Sequence, residues 1–263
     1  MFSSPPSRAV RIGAVFLIAL VFTGCHSINR TAAQARIPAG IVIFTFDDGP
    51  NAHGDTTARV LEVLKKYDIR AMFALLGENI AYNPELARRI HNEGHYIINH
   101  GYSERHAVHM DPRRFYTNLV QGQTAITAAL GHDAPLLYRP HGGFYRKQHW
   151  RIWEERHYAM IPGTARAYDA VLTGRDREKV IDRIVKAVDA QNGGIILLHD
   201  ARDSHTRMET RLAKDPGGMF NRSWIPDTVE EIIIILQAKG YTLRGFDIAS
   251  VLQIPQDNIY NPY

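Results

Sequence analysis

Two adjacent carboxylates, Asp47 and Asp48, give the first sign of chemistry in this chain of 263 residues. They end an apolar, β-rich run and are followed by Gly49 and Pro50. Two buried neighbouring carboxylates repel each other unless a cation or a proton lies between them. A metal ion bound by one of them would leave the other free to act as a base. Alone, such a turn is more often a solvated loop, so the interpretation depends on the residues that accompany it.

A second cluster offers metal ligands. His100 opens a polar stretch, and Glu104 follows it four residues later. Two such side chains can close around one ion if the segment turns helically. A third cluster joins Arg139, which is always charged, to Gly142, whose backbone N–H is accessible in a glycine pair. A fourth places His199 directly after a continuous apolar run.

The pattern between these clusters predicts an α/β fold. Strand-like runs cover 41–46, 71–76, 95–99, 136–138, 158–161, 194–198 and 241–246. Helical spacing covers 56–67, 84–92, 112–130, 147–156, 177–190 and 228–238. This alternation indicates parallel strands joined by crossover helices, whose active sites lie at the carboxyl ends of the strands. The polar clusters follow strand ends, and residues 201–224, which lack periodicity, are expected to form a loop that lines the site.

Four runs of sequence resemble, in order, the motifs of the polysaccharide deacetylase family (NodB homology, carbohydrate esterase family four). They read Thr-Phe-Asp-Asp-Gly-Pro, Asn-His-Gly-Tyr-Ser, Arg-Pro-x-Gly-Gly and Leu-Leu-His-Asp, and they fall within residues 41–246. The resemblance implies a single domain with a distorted (β/α) barrel of about seven strands. It also implies a metal-dependent hydrolase that removes N-acetyl groups from a cell-wall or extracellular GlcNAc-type polysaccharide, giving free amine and acetate.

The resemblance assigns catalytic roles residue by residue. Asp47 matches the family's base, and Arg139 matches the residue that orients it. Gly142 falls where a backbone N–H binds the oxyanion, and His199 matches the general acid. Asp169 corresponds only weakly to the residue that orients this acid, because the usual Asp-Trp pair is absent.

The resemblance also makes Asp48 and His100 the first two ligands of one divalent ion. Zinc is expected, with manganese, cobalt and nickel as alternatives. The family has a second His four residues after His100, where this chain has Glu104. A carboxylate can bind zinc, so Glu104 is expected as the third ligand, with His106 or no third side chain as alternatives. His141 lies beside the site, and its residue type alone assigns it no role.

The N-terminus resembles an export signal. Arg8 and Arg11 precede an apolar run over 12–22, and small residues then lead to Cys25 in a lipobox-like ending. These features predict a lipoprotein anchored through Cys25 and facing the periplasm or cell surface, with a soluble periplasmic or secreted protein as the alternative. The predicted divisions are a signal over 1–25, a linker over 26–38, the deacetylase domain over 39–250 and a tail over 251–263.

Composition limits the remaining functions. Hydrophobic residues make up 45% and charged residues 22%, with a net charge of +4, which suits one globular domain. The sequence shows no clustered basic stripe, so nucleic acid is not an expected partner. The single cysteine excludes an internal disulfide. Two alternative functions are an O-acetyl polysaccharide esterase and an inactive glycan-binding protein in which Glu104 prevents metal binding.

Overall fold

A curled parallel sheet forms the centre of the protein. The computed structural model describes residues 25–27, 37–51 and 53–254. The strands of the sheet are β2 (Val42–Asp47), β3 (Met72–Leu75), β4 (Tyr96–Asn99), β5 (Leu137–Tyr138), β7 (Ala159–Met160), β8 (Ala165–Arg166) and β9 (Gly194–His199). They lie in the order β7-β5-β4-β3-β2-β9-β8, and every neighbouring pair is parallel. This curled half-barrel confirms the predicted distorted (β/α) barrel in one domain.

Helices surround this sheet. They are α1 (Thr56–Lys66), α2 (Gly77–Tyr82), α3 (Pro84–Asn92), α4 (Pro112–Leu130), α5 (Lys147–Glu155), α6 (Arg177–Gln191), α7 (His205–Lys214), α8 (Ile225–Ala238) and α9 (Ile248–Leu252). The sequence sets the ends of α4 clearly. Asp111 caps its N-terminus by accepting the Arg114 N–H at 2.9 Å, and Gly131 ends it with φ of 77°.

The core has two faces because the sheet is covered on both sides. All six residues of β2 are buried, as expected for a central parallel strand. Phe44 and Phe46 pack against the outer helices, whereas Ile43 packs with Met72 and Ile98 inside the curl. The strand is therefore held firmly up to its last residue, where the polar cluster begins.

Two predicted elements differ from the structure. Residues 241–246 do not form a strand, and only an isolated bridge joins Thr242 to Ile41. The segment 201–224 is not entirely a loop, since it contains α7. Met208 is the one fully buried residue among the described side chains of that helix, so the sequence has too little apolar periodicity to predict it.

Most of the predicted signal (1–25) and linker (26–38) lies outside the described residues, namely 1–24 and 28–36. Strand β1 (Cys25–Ser27) pairs antiparallel with β6 (Phe144–Arg146). At the C-terminal end, Ile254 is buried, so the folded domain continues beyond its predicted limit at residue 250. Residues 255–263 lie outside the described residues. Among the described helices, none has the length and apolarity needed to span a membrane.

Candidate active site

The carboxyl ends of the central strands bring the predicted residues together. In the register of β2 and β9, Asp47 lies opposite His199. His100 directly follows β4, and Arg139 directly follows β5. Asp48 has a φ of 72°, a left-handed conformation that turns its side chain away from the line of β2. The polar clusters, which are far apart in sequence, thus share one edge of the sheet.

Arg139 is a fully buried cation that holds Asp47. Its guanidinium donates to Asp47 Oδ1 at 2.5 Å and to Thr45 Oγ1 at 2.9 Å. It also donates to the carbonyl oxygens of Ile161 at 3.0 Å and Pro162 at 2.8 Å. Because four acceptors fix this guanidinium, the Asp47 carboxylate has a defined orientation and a permanent positive charge beside it.

Asp48, His100 and His141 form a group that can hold a metal ion. One ligand atom from each lies within 4.8 Å of the others. Asp48 Oδ1 lies 3.4 Å from His100 Nε2 and 3.3 Å from His141 Nε2. Burial acts to raise the pKa of Asp48, but the two imidazoles outweigh it and hold that pKa well below its usual range. Burial lowers the pKa of His141, which favours the neutral ring that metal binding requires.

The surroundings of this group also suit a metal. His100 Nδ1 donates to the Arg139 carbonyl oxygen at 2.8 Å, which leaves the lone pair of Nε2 free on the side of Asp48. Among the described residues, the buried Asp48 Oδ1 has no hydrogen-bond partner. One carboxylate and two imidazoles are the ligands of many catalytic zinc sites, in which the fourth position stays open. The donor set therefore fits a divalent ion of this type.

The structure separates Glu104, the predicted third ligand, from this group. Residues 101–106 do not form the expected helical turn. The Glu104 carboxylate instead pairs with Arg207. The backbone N–H of Glu104 donates to Glu78 Oε1 at 3.3 Å. In the part of the chain that the structure describes, neither Glu104 nor His106 joins the ligand group. The third member of the group is His141, to which the sequence assigned no role.

His199 is supported from behind by Asp169. Tyr168 has a φ of 58°, and this turn directs the fully buried Asp169 at His199. His199 Nδ1 lies 3.0 Å from Asp169 Oδ1, and the His199 N–H donates to Asp169 Oδ2 at 2.9 Å. Burial acts to lower the pKa of His199, but the Asp169 carboxylate outweighs it and raises that pKa. The sequence match to Asp169 was weak, yet the structure brings the two side chains together.

Arg222 also holds Asp169, and the sequence did not predict a role for it. It is as deeply buried as Asp169 and donates to Asp169 Oδ2 at 2.5 Å. It also donates to the carbonyl oxygens of Asp169 at 3.0 Å and His199 at 3.1 Å. Arg222 belongs to the stretch without periodicity, where no sequence signal distinguishes a buried arginine from an exposed one.

Gly142 presents a free backbone donor near His141. Its φ is 76°, and a Cβ atom there would lie 2.6 Å from the His106 ring, so only glycine fits. Among the described residues, the Gly143 N–H donates to the Pro140 carbonyl oxygen at 2.9 Å, whereas the Gly142 N–H has no intramolecular acceptor. This N–H is available to a bound oxygen atom.

A cavity of about 300 Å³ opens over these groups. Asp48 and His141 line its floor, and Arg202, Met219 and Phe220 line its wall. The segment 201–224 thus lines the site as predicted, although it contains a helix. Its apolar residues suit the faces of a sugar ring or a methyl group, while its charges suit polar substituents.

Known proteins share this fold and sequence pattern. Residues 35–161 match the family model for polysaccharide deacetylase. The peptidoglycan-N-acetylglucosamine deacetylase of Bacillus cereus is 28% identical over 193 residues, which span 73% of this chain and 88% of that protein. A crystal structure of a peptidoglycan N-acetylglucosamine deacetylase superposes with a TM-score of 0.68 at 25% identity, covering 84% of this chain and 92% of that one.

A second solved structure carries a metal. It is a family 4 acetyl xylan esterase from Clostridium thermocellum in complex with a cobalt ion, with a TM-score of 0.61 and 26% identity. The match covers 76% of this chain and 85% of the esterase. The match over residues 35–161, the ordered motifs and the half-barrel together show a polysaccharide deacetylase domain in this chain.

Proposed function

We propose that this protein is a metal-dependent N-deacetylase that hydrolyses the acetamide of a GlcNAc-type polysaccharide. One observation carries the proposal: the ligand group of Asp48, His100 and His141 lies between two buried pairs of opposite function. Asp47 with Arg139 can accept a proton, and His199 with Asp169 can donate one. The names of the matched relatives support the choice of N-acetylglucosamine.

The chain's own residues supply the acid and base. A divalent ion held by Asp48, His100 and His141 would polarise the acetyl carbonyl and acidify a water molecule. Asp47, held by Arg139, takes one proton from water as the water oxygen attacks the acetyl carbon. The Gly142 N–H donates to the negative oxygen that develops on this carbon, a contact commonly worth about 3–4 kcal/mol.

His199 completes the reaction. The Asp169 carboxylate raises the pKa of His199, which favours the protonated ring. The ring donates that proton to the amide nitrogen as the carbon–nitrogen bond breaks, which releases an amine and acetate. Without this proton the leaving group would be an amide anion, so the acid matters more for an N-acetyl group than for an O-acetyl ester.

Acetate release tests the function directly. The protein is stripped with a chelator and assayed on N-acetylglucosamine oligosaccharides with zinc, manganese, cobalt or nickel added singly. We expect no turnover without metal and recovery with at least one of them. An O-acetylated xylan provides the comparison, because one matched structure is an acetyl xylan esterase. Acetate release from the ester alone would replace the proposed amidase with an esterase, and release from neither would refute both.

Arg222 provides a prediction about pH. Replacing it by Met removes the cation that compensates the buried Asp169 carboxylate. The uncompensated carboxylate then holds the proton on His199 more strongly, so the His199 pKa rises and the alkaline limb of kcat/KM should move to higher pH. Breaking a fully buried ion pair should also destabilise the fold by about 3–5 kcal/mol.

A double variant separates the two effects. Arg222→Met combined with Asp169→Asn removes both buried charges and should recover part of the lost stability. It should move the alkaline limb below that of the wild type, because Asn cannot hold a proton on His199 electrostatically. pH–rate profiles and thermal unfolding measure both quantities. An alkaline limb that stays in place in Arg222→Met would restrict this arginine to a structural role.

Export and anchoring remain a proposal supported by the sequence. The basic start, the apolar run over 12–22 and Cys25 are typical of a lipoprotein signal. The protein should then fractionate with membranes, and Cys25→Ser should block its processing. A wild-type protein found only in the soluble fraction would contradict the anchor.

A further inference from the structure

A second, larger groove adjoins the cavity over the candidate site. It encloses about 1100 Å³ and follows the start of α4 and the loop that precedes it. The two cavities share His106 and Arg207 in their linings, so one continuous surface leads from the metal group into the groove. A glycan chain whose acetamido sugar occupies the smaller cavity would extend neighbouring sugars along this groove.

The groove is strongly cationic. Arginines from different parts of the chain line it: Arg105, Arg113, Arg114 and Arg207. Asp111 is the one carboxylate in the same lining. Arg114 pairs with Asp111 at 3.4 Å, and Arg207 pairs with Glu104. Arg105 and Arg113 are exposed and have no ion pair within the described residues.

The positions of these charges oppose local stability. Arg113 and Arg114 occupy the first turn of α4, where no acidic residue is present. The N-terminal end of a helix carries a partial positive charge, so cations there are unfavourable and anions are favourable. Charges that weaken a helix while lining a groove beside the candidate site are typical of a binding surface.

From this surface we propose that the substrate is an anionic glycan, in which sugars that bear a carboxylate or similar group neighbour the N-acetylhexosamine. The lining contains arginines and no lysine, and guanidinium forks bind carboxylates through two parallel hydrogen bonds. Arg105 and Arg113 are the residues that bind these acidic groups. The inference rests on the proposed deacetylase function and adds the charge of the substrate to it.

Three oligosaccharides of equal length test the proposal. A chitin oligosaccharide is neutral, a hyaluronan oligosaccharide alternates N-acetylglucosamine with glucuronate, and peptide-free peptidoglycan strands carry lactyl carboxylates. We expect the wild type to have a higher kcat/KM on at least one anionic substrate at low ionic strength. This advantage should shrink as salt screens the exposed charges. The two anionic arms distinguish uronate from lactyl carboxylate.

Matched variants locate the effect. Arg105→Gln with Arg113→Gln should lower the ratio of anionic to neutral kcat/KM about fivefold to tenfold, mainly through KM. Lys65→Gln with Lys179→Gln removes the same net charge from exposed positions on α1 and α6, which do not line the groove, and should keep the ratio. A wild type without an anionic advantage, or equal losses in both double variants, would overturn the proposal.

A binding measurement distinguishes failure of the cationic groove from failure of the deacetylase function. If no glycan releases acetate, the deacetylase function fails, and binding of the same oligosaccharides by calorimetry still tests the groove. Tighter binding of an anionic chain that weakens only in the Arg105→Gln, Arg113→Gln variant supports the groove. Equal binding of neutral and anionic chains refutes it.

Discussion

Asp47→Asn is expected to abolish acetate release and to leave the bound metal nearly unchanged. The change removes the proposed base but no member of the ligand group. General-base catalysis commonly contributes about 10²–10⁴-fold to a rate, so turnover should fall at least about a hundredfold. Acetate release and metal content per folded protein, measured on the same preparation, check both parts.

The main competing interpretation is that Asp47 binds the metal itself. Its Oδ2 lies 3.7 Å from His100 Nε2, close to the ligand group. Asp48→Ala provides the comparison, because Asp48 Oδ1 faces both imidazoles and its loss should empty the site. If Asp47→Asn loses as much metal as Asp48→Ala, the separation of base and ligand is wrong.

The fold of the Asp47→Asn variant needs its own control. Arg139 would remain buried without its anion, which destabilises a protein when no other acceptor is present. Here the guanidinium keeps three further acceptors, namely Thr45 Oγ1 and the carbonyl oxygens of Ile161 and Pro162. The variant should therefore fold, at a lower unfolding temperature. Circular dichroism distinguishes a folded, inactive protein from an unfolded one.

The sequence predicted the parts of this protein that depend on local pattern. Apolar runs and their turns located six strands of the sheet, and the rule that polar residues gather at strand ends placed Asp47, His100 and His199 at one edge. The last apolar run, over 241–246, has the pattern of a strand but forms only one β-bridge, between Thr242 and Ile41. A local pattern does not indicate whether a neighbouring strand is available for pairing.

Side-chain partners across distant segments were harder to predict. The spacing between His100 and Glu104 suggested a shared ion, but this inference required a helical turn that the loop does not form. Arg207 is 103 positions further along the chain than Glu104 and binds its carboxylate, which no local pattern reveals. The cationic groove was not predicted either: three of its arginines lie within residues 105–114, but Arg207, contributed by α7, joins them only in the fold.

His141→Ala is expected to remove the metal, and Glu104→Ala to retain it. His141 Nε2 lies 3.3 Å from Asp48 Oδ1, whereas Glu104 is engaged by Arg207. Loss of a partner that merely orients a ligand commonly weakens metal binding about 10–100-fold, so loss of a ligand should exceed that range. Glu104→Ala loses an ion pair in which the Arg207 side chain is 61% exposed, and such pairs contribute at most about 1 kcal/mol.

Metal titration of the chelated proteins measures these affinities without relying on turnover. His106→Ala is the matched control, since its ring centroid lies 5.1 Å from that of His141 but its nitrogens are outside the ligand group. It should bind metal as the wild type does. The contrary pattern, with metal lost in Glu104→Ala and kept in His141→Ala, would restore the original third ligand. It would also require the loop at 101–106 to rearrange around the ion, breaking the pair between Glu104 and Arg207.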